Sequence, residues 1–299
     1  MAESDPKRIM MWTLPRASST VLLKCFSYIP QFQIINEPYN SAMTFGPEGF
    51  RKTGHVNGIK EYGDFLDSVK KEIEKNPGKY DHGWDDEKCT YDWVKNTLEG
   101  DWPGKKFVFC EDYIYPISTK KDKVPHGFTH TFFIRNPTSV FLANRIGTME
   151  NLPSEVAAKF DINDVPSWKI YPKYGYGELL DLIACLKDRD MVQSNPIVID
   201  ADDLLKHPES IMRKYCEATG IPYSDSMHTW PAGDPTPNWH ISRGYLAANQ
   251  IVGFYDPFFS STGFPPPEDL PTPLPEDVVK LAARAEPYYQ ELYKMCIKP

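Results

Sequence analysis

Arg16 and Arg135 each close a short apolar run and open onto hydroxyl-bearing residues. Ala17-Ser18-Ser19-Thr20 follow the first, and Asn136-Pro137-Thr138-Ser139 follow the second. A fork-shaped, permanently charged guanidinium beside the unpaired N–H groups of a helix start suits a tetrahedral oxyanion. The first segment therefore reads as an anion cradle, with charge from Arg16 and hydroxyl donors from Ser18, Ser19 and Thr20. The Gly-x4-Gly-Lys-Ser/Thr pattern that holds ATP with magnesium is absent. The plain alternative is a helix cap at Ser18 and a surface charge at Arg16. Arg135 repeats the logic, and the two together point to a ligand with two separated anionic groups. Glu37 lies about twenty residues after Arg16, at the end of another apolar run. A carboxylate facing an anion site is costly unless it has a task, and general-base deprotonation of an acceptor hydroxyl is the task that fits. A structural pairing with Arg16 or with a helix end is the alternative. Pro38 is expected to hold Glu37 in an extended conformation.

These side chains need strands to deliver them and helices to receive them. Runs at Ile9–Leu14, Phe32–Ile35, Lys106–Cys110, Thr129–Ile134 and Pro196–Asp200 are short and rich in β-branched or aromatic residues. They read as strands buried on both faces. Helical patterns lie at Thr20–Tyr28, Tyr62–Lys75, Asp86–Leu98, Thr138–Arg145, Tyr176–Arg189, Pro208–Thr219 and Glu276–Cys296. The alternation predicts an α/β fold with a central parallel sheet flanked by helices on both faces. In such sheets ligands bind beyond the carboxyl ends of the strands. Pro257–Pro275 holds seven prolines and is expected to be an extended surface loop. With no internal repeat and no linker, residues 1–299 are read as a single domain.

Pro15-Arg-Ala-Ser-Ser-Thr20 and Ile134-Arg-Asn-Pro137 stand in the order of two motifs of one superfamily, the sulfotransferases that use 3′-phosphoadenosine-5′-phosphosulfate (PAPS). Those motifs are a Pro-Lys/Arg-Ser-Gly-Ser/Thr-Thr loop and a later Arg-Asp/Asn-Pro segment. Asn36-Glu-Pro-Tyr39, Phe45-Gly-Pro-Glu48, Tyr174-Gly-Tyr-Gly-Glu-Leu-Leu180 and Val198-Ile-Asp-Ala-Asp-Asp-Leu-Leu205 extend the match over residues 8 to 255. The chain resembles a divergent group of small sulfotransferase-like proteins with a P-loop nucleotide-binding-like fold. The resemblance implies PAPS as donor and 3′-phosphoadenosine-5′-phosphate (PAP) as product. It assigns the 5′-phosphosulfate to Arg16, Ala17, Ser18, Ser19 and Thr20, and the 3′-phosphate to Arg135 with Ser139. Glu37 takes the place of the general base found in branches with arginine in the loop, the tyrosylprotein sulfotransferases among them. The sulfuryl group would pass in line to a hydroxyl or amine of a small-molecule acceptor, with Arg16 stabilising the leaving phosphate. No metal is required, because the arginines and the helix dipole do the charge work.

Three departures stand out. The loop glycine is replaced by Ala17 or Ser18. The serine that family members carry eight residues after the 3′-phosphate arginine is Ala143, which leaves Ser139 or Asn144 to substitute. The lysine often found at the end of the third strand is Glu111, followed by Asp112, and these acids make a rival site for the base. Two other readings stay open: an ATP-dependent P-loop-like kinase, and a catalytically inactive nucleotide-binding or interaction protein.

A formal net charge of −8 speaks against a nucleic-acid partner. The absence of a long apolar run and of an apolar leader predicts a soluble, cytoplasmic protein without membrane contact. A homodimer stays open as the oligomeric state. Six cysteines without C-x-x-C spacing are expected to be buried free thiols. Asp200-Ala-Asp-Asp203 has the form of a D-x-D metal motif, but helix capping by Asp202 or Asp203 explains it more simply. His126 and His130 have the i, i+4 spacing of a metal pair, yet Gly127 intervenes and no acid accompanies them. Trp239, His240 and Arg243 offer a stacking face and a late cation, or else core packing. Met149, Trp168, Tyr171, Tyr174 and Tyr176 would suit an apolar acceptor pocket, and equally a core.

Overall fold

The computed structural model describes residues 5–49, 60–150, 152, 154–164, 171–253, 255–267 and 269–299. Strands form where the sequence is nearly continuously apolar. They are β1 (Lys7–Thr13), β2 (Phe32–Asn36), β3 (Phe107–Tyr113), β4 (Thr129–Ile134), β5 (Ile197–Asp200) and β6 (Trp239–His240). Together they make one sheet in the order β5-β4-β1-β3-β2-β6. The pairs β2–β3, β2–β6 and β4–β5 are parallel, with Ile34 opposite Phe109 and Phe133 opposite Ile199. Parallel strands buried on both faces have no polar side to show, which explains the runs. The α/β class with a central parallel sheet is the one the sequence pattern predicts.

The chain falls into two compact units. The first comprises residues up to Met10, Thr20–Phe128 and Thr229–Gly263; it holds β2, β3 and β6. Its core is aromatic: Phe26 stacks on Phe32 at 5.2 Å and meets Phe109 edge-on at 4.8 Å, and Phe32 stacks on Phe107 at 4.7 Å. Lys24, on the first helix (Thr20–Ser27), is fully buried. Its ammonium donates to the carbonyls of Phe258, Phe259 and Ser261 at 2.5, 2.8 and 2.8 Å. The second unit comprises Met11–Ser19, Thr129–His228 and Phe264–Pro299, with β4 and β5. There the helix Glu276–Lys294 packs on the helices Pro137–Met149 and Tyr176–Asp188. Tyr176 lies edge-on to Phe141 at 6.4 Å and to Tyr289 at 6.1 Å.

Several boundaries differ from the sequence expectation, each for a local reason. β3 runs on to Tyr113, so Glu111 and Asp112 are strand residues and fully buried. Asp86–Leu98 is broken: a single 3-10 turn (Asp86–Lys88) precedes the helix Tyr91–Glu99, because Thr90 caps that helix by accepting from Trp93 N. The proline-rich stretch begins with a turn of helix, Asp256–Ser260, before it becomes extended. The dipeptide strand β6 and the helix Arg243–Val252 carry no periodic signal long enough to read. Among the described residues, no helix is long and apolar enough to cross a membrane.

Candidate active site

In the second unit, Thr13 ends β1 and ties it to β4 by donating from its hydroxyl to the carbonyl of Phe133 at 3.0 Å. The chain then turns through Pro15–Ser19, with Ala17 N bonded to Leu14 O at 3.2 Å. Arg16 and Ser18 both adopt left-handed backbone, at φ 65° and 68°, while Ala17 between them does not. Alternating handedness gathers successive N–H groups into a concave nest that favours an anion. The turn thus takes up this backbone without the glycine of the family loop, at a cost on the order of 1–3 kcal/mol for each left-handed residue. The Arg16 side chain is exposed and lies over Gly147 of the helix Pro137–Met149, where a Cβ would come within 2.5 Å of its Nη2.

Arg135 leaves the end of β4 and is buried, 6% exposed. Its Nη1 donates to Ser18 Oγ at 3.2 Å, and its Nε to Asp202 Oδ1 at 3.4 Å. Its carbonyl accepts from the Tyr176 hydroxyl at 2.8 Å. The next helix starts as its sequence suggests: Asn136 accepts from Thr138 N at 2.9 Å and Pro137 takes the first helical position. Ser139 is buried in the first turn of this helix. Of the two substitutes for the hydroxyl missing at Ala143, Asn144 is engaged locally, its amide donating to Val140 O at 3.0 Å. The unit thus brings Arg16, Ala17, Ser18, Ser19, Arg135 and Ser139 into one compact body, with Ser18 and Arg135 in contact. Thr20, buried at the start of its helix, belongs to the first unit, as does Glu37.

Glu37 follows β2 and is buried, 3% exposed. Its backbone is left-handed, φ 48° and ψ 49°, and not extended as Pro38 implied. Proline disfavours only the right-handed helical region for the preceding residue. A left-handed Glu37 lets the chain turn at once from strand to helix: its N–H bonds to Glu111 O at 2.8 Å, and its carbonyl accepts from Ser41 N at 2.8 Å. Glu37 Oε2 accepts from Asn40 Nδ2 at 2.8 Å, and the same amide contacts the Tyr245 hydroxyl. Burial pushes the Glu37 carboxyl up from its ordinary value, against hydrogen bonds from Asn40, Tyr113, Tyr245 and Asn36.

The neighbouring acids have structural partners. Asp112 caps the helix Pro38–Thr44, accepting from Tyr39 N at 2.5 Å and Asn40 N at 3.1 Å, and it also accepts from Tyr113 N at 2.8 Å. Burial, with the Glu37 charge second, holds Asp112 well above the usual carboxylate range. Glu111 Oε2 accepts from Asn36 Nδ2 at 3.3 Å, and Tyr255 donates to Asn36 Oδ1 at 2.9 Å.

Asn40 was within reach of the sequence, one helical turn after Glu37. Tyr113, Tyr245 and Asp202 carried no signal as site neighbours, because their partners lie far away in the chain. Asp202 in particular had been expected, with Asp203, as a helix cap. The cap is Asp200, which accepts from Asp202 N and Asp203 N at 3.0 and 3.1 Å, and Asp202 is left to hold Arg135. His126 and His130 part company. His126 is exposed and bonded to Glu99, while His130 is buried and accepts from the Trp12 indole at 3.2 Å. Trp239 is buried in β6 and donates to Ser27 Oγ at 2.5 Å, His240 packs against Trp84 and Trp102, and Arg243 pairs with Asp81. That stretch builds a sheet edge; it offers no stacking face. Tyr176 is core, with its hydroxyl on Arg135; Tyr171 is also buried, and Trp168 lies outside the described residues. All six cysteines are free, and among the described residues no His, Cys, Asp or Glu group could hold a metal.

Residues 182–295 match the family model described as Sulfotransferase domain, so that this part of the chain is similar to that family. The chain is also similar to two Arabidopsis thaliana proteins. One is branched-chain-amino-acid aminotransferase-like protein 1, 25% identical over 97% of this chain and 42% of its own length. The other is the like-named protein 2, 27% identical over 95% of this chain and 41% of its own length. The chain thus spans about two fifths of these relatives, and their names describe the longer proteins. Among solved structures, it aligns with the sulfotransferase domain from the curacin biosynthetic pathway at 15% identity and TM-score 0.42, covering 94% of this chain and 98% of that one. With the sulfotransferase domain from the Synechococcus PCC 7002 olefin synthase the figures are 13% and 0.43, over 95% and 96%.

Proposed function

We propose that this chain is a sulfotransferase that takes a sulfuryl group from PAPS and delivers it to a hydroxyl or amine of a small-molecule acceptor. The contact between Arg135 and Ser18 carries the reading, because it joins the Pro15–Ser19 turn to a buried guanidinium. The donor set fits the group: backbone N–H groups, hydroxyls and two guanidinium ions, with Asp202 on the Nε side of Arg135. Bound PAPS would supply a sulfuryl group on a phosphate leaving group. Arg16, the N–H groups of residues 18 to 20 and the Ser19 and Thr20 hydroxyls would stabilise the charge that builds on the leaving oxygen, the Ala17 N–H being taken by Leu14 O. Arg135, with Ser139, would hold the 3′-phosphate, and Asp202 would keep the guanidinium turned toward it. Glu37 would take the proton from the acceptor. Burial suits it to this, since a carboxyl raised toward the working pH is a stronger base than an exposed one.

Thermal shift with PAP and with ATP, followed by label transfer from PAPS into an extract, tests the reading. Stabilisation by PAP and labelled small molecules are expected. Stabilisation by ATP alone would overturn it.

A further inference from the structure

Two tyrosines reach the Glu37 carboxylate from elements far apart in the chain. Tyr113 ends β3, and Tyr245 stands in the first turn of the helix Arg243–Val252. Both hydroxyls hydrogen-bond the carboxylate, as do the amides of Asn40 and Asn36. A carboxylate offers about four lone-pair sites, so these donors suit its ionised form. A buried carboxyl without such donors keeps its proton and can accept no other.

Each tyrosine is anchored by its own element. Tyr113 N–H donates to Asp112 Oδ1 at 2.8 Å. Ser242 Oγ accepts from Tyr245 N at 3.0 Å and sets the start of that helix, while the Tyr245 ring meets Phe45 edge-on at 5.3 Å. The Asn40 amide donates to Glu37 Oε2 at 2.8 Å and also to the Tyr245 oxygen, which leaves the Tyr245 hydrogen for the carboxylate. The other titratable groups around Glu37 are engaged elsewhere. Asp112 accepts from the backbone at Tyr39, Asn40 and Tyr113, Glu111 accepts from Asn36 Nδ2, and Tyr255 donates to Asn36 Oδ1.

We propose that Tyr113 and Tyr245 are positioning residues for Glu37: their hydroxyls hold the ionised carboxylate in one orientation, ready to take a proton. The role rests on Glu37 being the base of the proposed transfer. Burial opposes the ionised form, and the two hydroxyls support it. Loss of either removes a donor from the ionised form, so the carboxyl must then keep its proton to higher pH.

Infrared spectra of each protein, minus those of the same protein carrying Glu37→Gln, follow the C=O stretch of the protonated Glu37 carboxyl against pH. Tyr113→Phe and Tyr245→Phe keep the rings and lose the hydroxyls. Each should raise the midpoint of this titration by about one pH unit, a tenfold change in proton affinity. Tyr39→Phe is the control: Tyr39 is also buried, but its hydroxyl donates to Lys123 O at 2.5 Å, and the midpoint should stay within about 0.3 pH unit of the wild type. The pH limb of turnover with PAPS should move as the midpoint does, with the KM for PAPS unchanged. A wild type that turns over no PAPS, in company with raised midpoints, would overturn the sulfuryl-transfer reading and leave the hold on Glu37 standing. Midpoints within about 0.3 pH unit of the wild type in the folded variants, or an equal rise in Tyr39→Phe, would overturn the proposal. If one tyrosine variant fails to fold, the other decides.

Discussion

The Arg135 guanidinium donates to the Ser18 hydroxyl at 3.2 Å, so the two anion anchors that the sequence suggested as separate are in contact. Ser18 is the acceptor there, and Asp202 takes the Nε side of the same guanidinium. Replacing Arg135 by Gln should therefore weaken PAP by about 10- to 100-fold, the worth of hydrogen bonds to a charged group. Asp202→Asn should weaken PAP by a smaller factor, and Asp202→Glu should restore most of the loss. Titration calorimetry distinguishes these outcomes; an Asp202→Asn variant with unaltered PAP affinity would leave Asp202 no positioning role.

Gly147 gives the Arg16 side chain its place. A Cβ there meets only the flexible end of Arg16, so the fold can absorb Gly147→Ala. Alanine in a helix interior is favoured over glycine by about 1 kcal/mol, and the melting temperature should rise slightly. Displacing the guanidinium should meanwhile lower turnover by up to about 10²-fold, by analogy with the removal of an oxyanion donor. A variant that is both more stable and fully active would show that the position of Arg16 over Gly147 is unimportant.

For the proposed transfer, three buried acids are candidates for the base, and their partners separate them. Asp112 is committed to backbone N–H groups at a helix start, whereas Glu37 is held by side chains. Glu37→Gln should cost about 10²–10⁴ in turnover with PAP affinity kept. Asp112→Asn should instead cost about 1 kcal/mol of stability, as lost helix caps do, with turnover per folded molecule little changed. Because the Glu37 carboxyl is raised and must be ionised to act, turnover should climb with pH along a limb above the ordinary carboxylate range. A pH–rate profile on the wild type and on Glu111→Gln checks both points.

The parts of this fold that were legible in the sequence are those written in local pattern. β4 and the helix Pro208–Thr219 fall where the apolar periodicity puts them, and Asn136-Pro137 announces its helix start. The site was legible only where a residue carries its own chemistry, as Arg16, Glu37 and Arg135 do. What was not legible is the company these residues keep. Arg135 meets Ser18 and Asp202 from segments 117 and 67 residues away, and Tyr245 reaches Asn40 across 205. The left-handed turns at Arg16, Ser18 and Glu37 were hidden for another reason: backbone strain at non-glycine residues leaves no trace in composition.

Lys24 shows the same long reach in a structural role. Its ammonium satisfies three carbonyls of the segment Phe258–Ser261 from within a helix that is otherwise apolar. Lys24→Met keeps the length and the apolar stem but leaves these acceptors unmet, and should cost about 3 kcal/mol. Urea unfolding measures that loss, and hydrogen exchange should show it first at Ser260 and Ser261. A loss under about 0.5 kcal/mol would mean that the carbonyls find other donors.

Asp86 should make stability depend on pH in an unusual direction. Burial lifts it from 3.8 to about 7, outweighing hydrogen bonds from the Gly244 N–H and the Ser242 hydroxyl and the Arg243 charge. A carboxyl raised on folding favours the folded state fully below its unfolded pKa, and the advantage is lost as pH rises through the folded value. Relative to Asp86→Asn, the wild type should therefore lose stability between about pH 4 and pH 7 and change little above that. The total is on the order of a few kcal/mol, at 1.36 kcal/mol for each pKa unit. Asparagine can still accept from Gly244 N, so the comparison isolates the charge. Chemical denaturation of both proteins across this range provides the measurement, and parallel curves would mean that Asp86 ionises in the fold as it does in the unfolded chain.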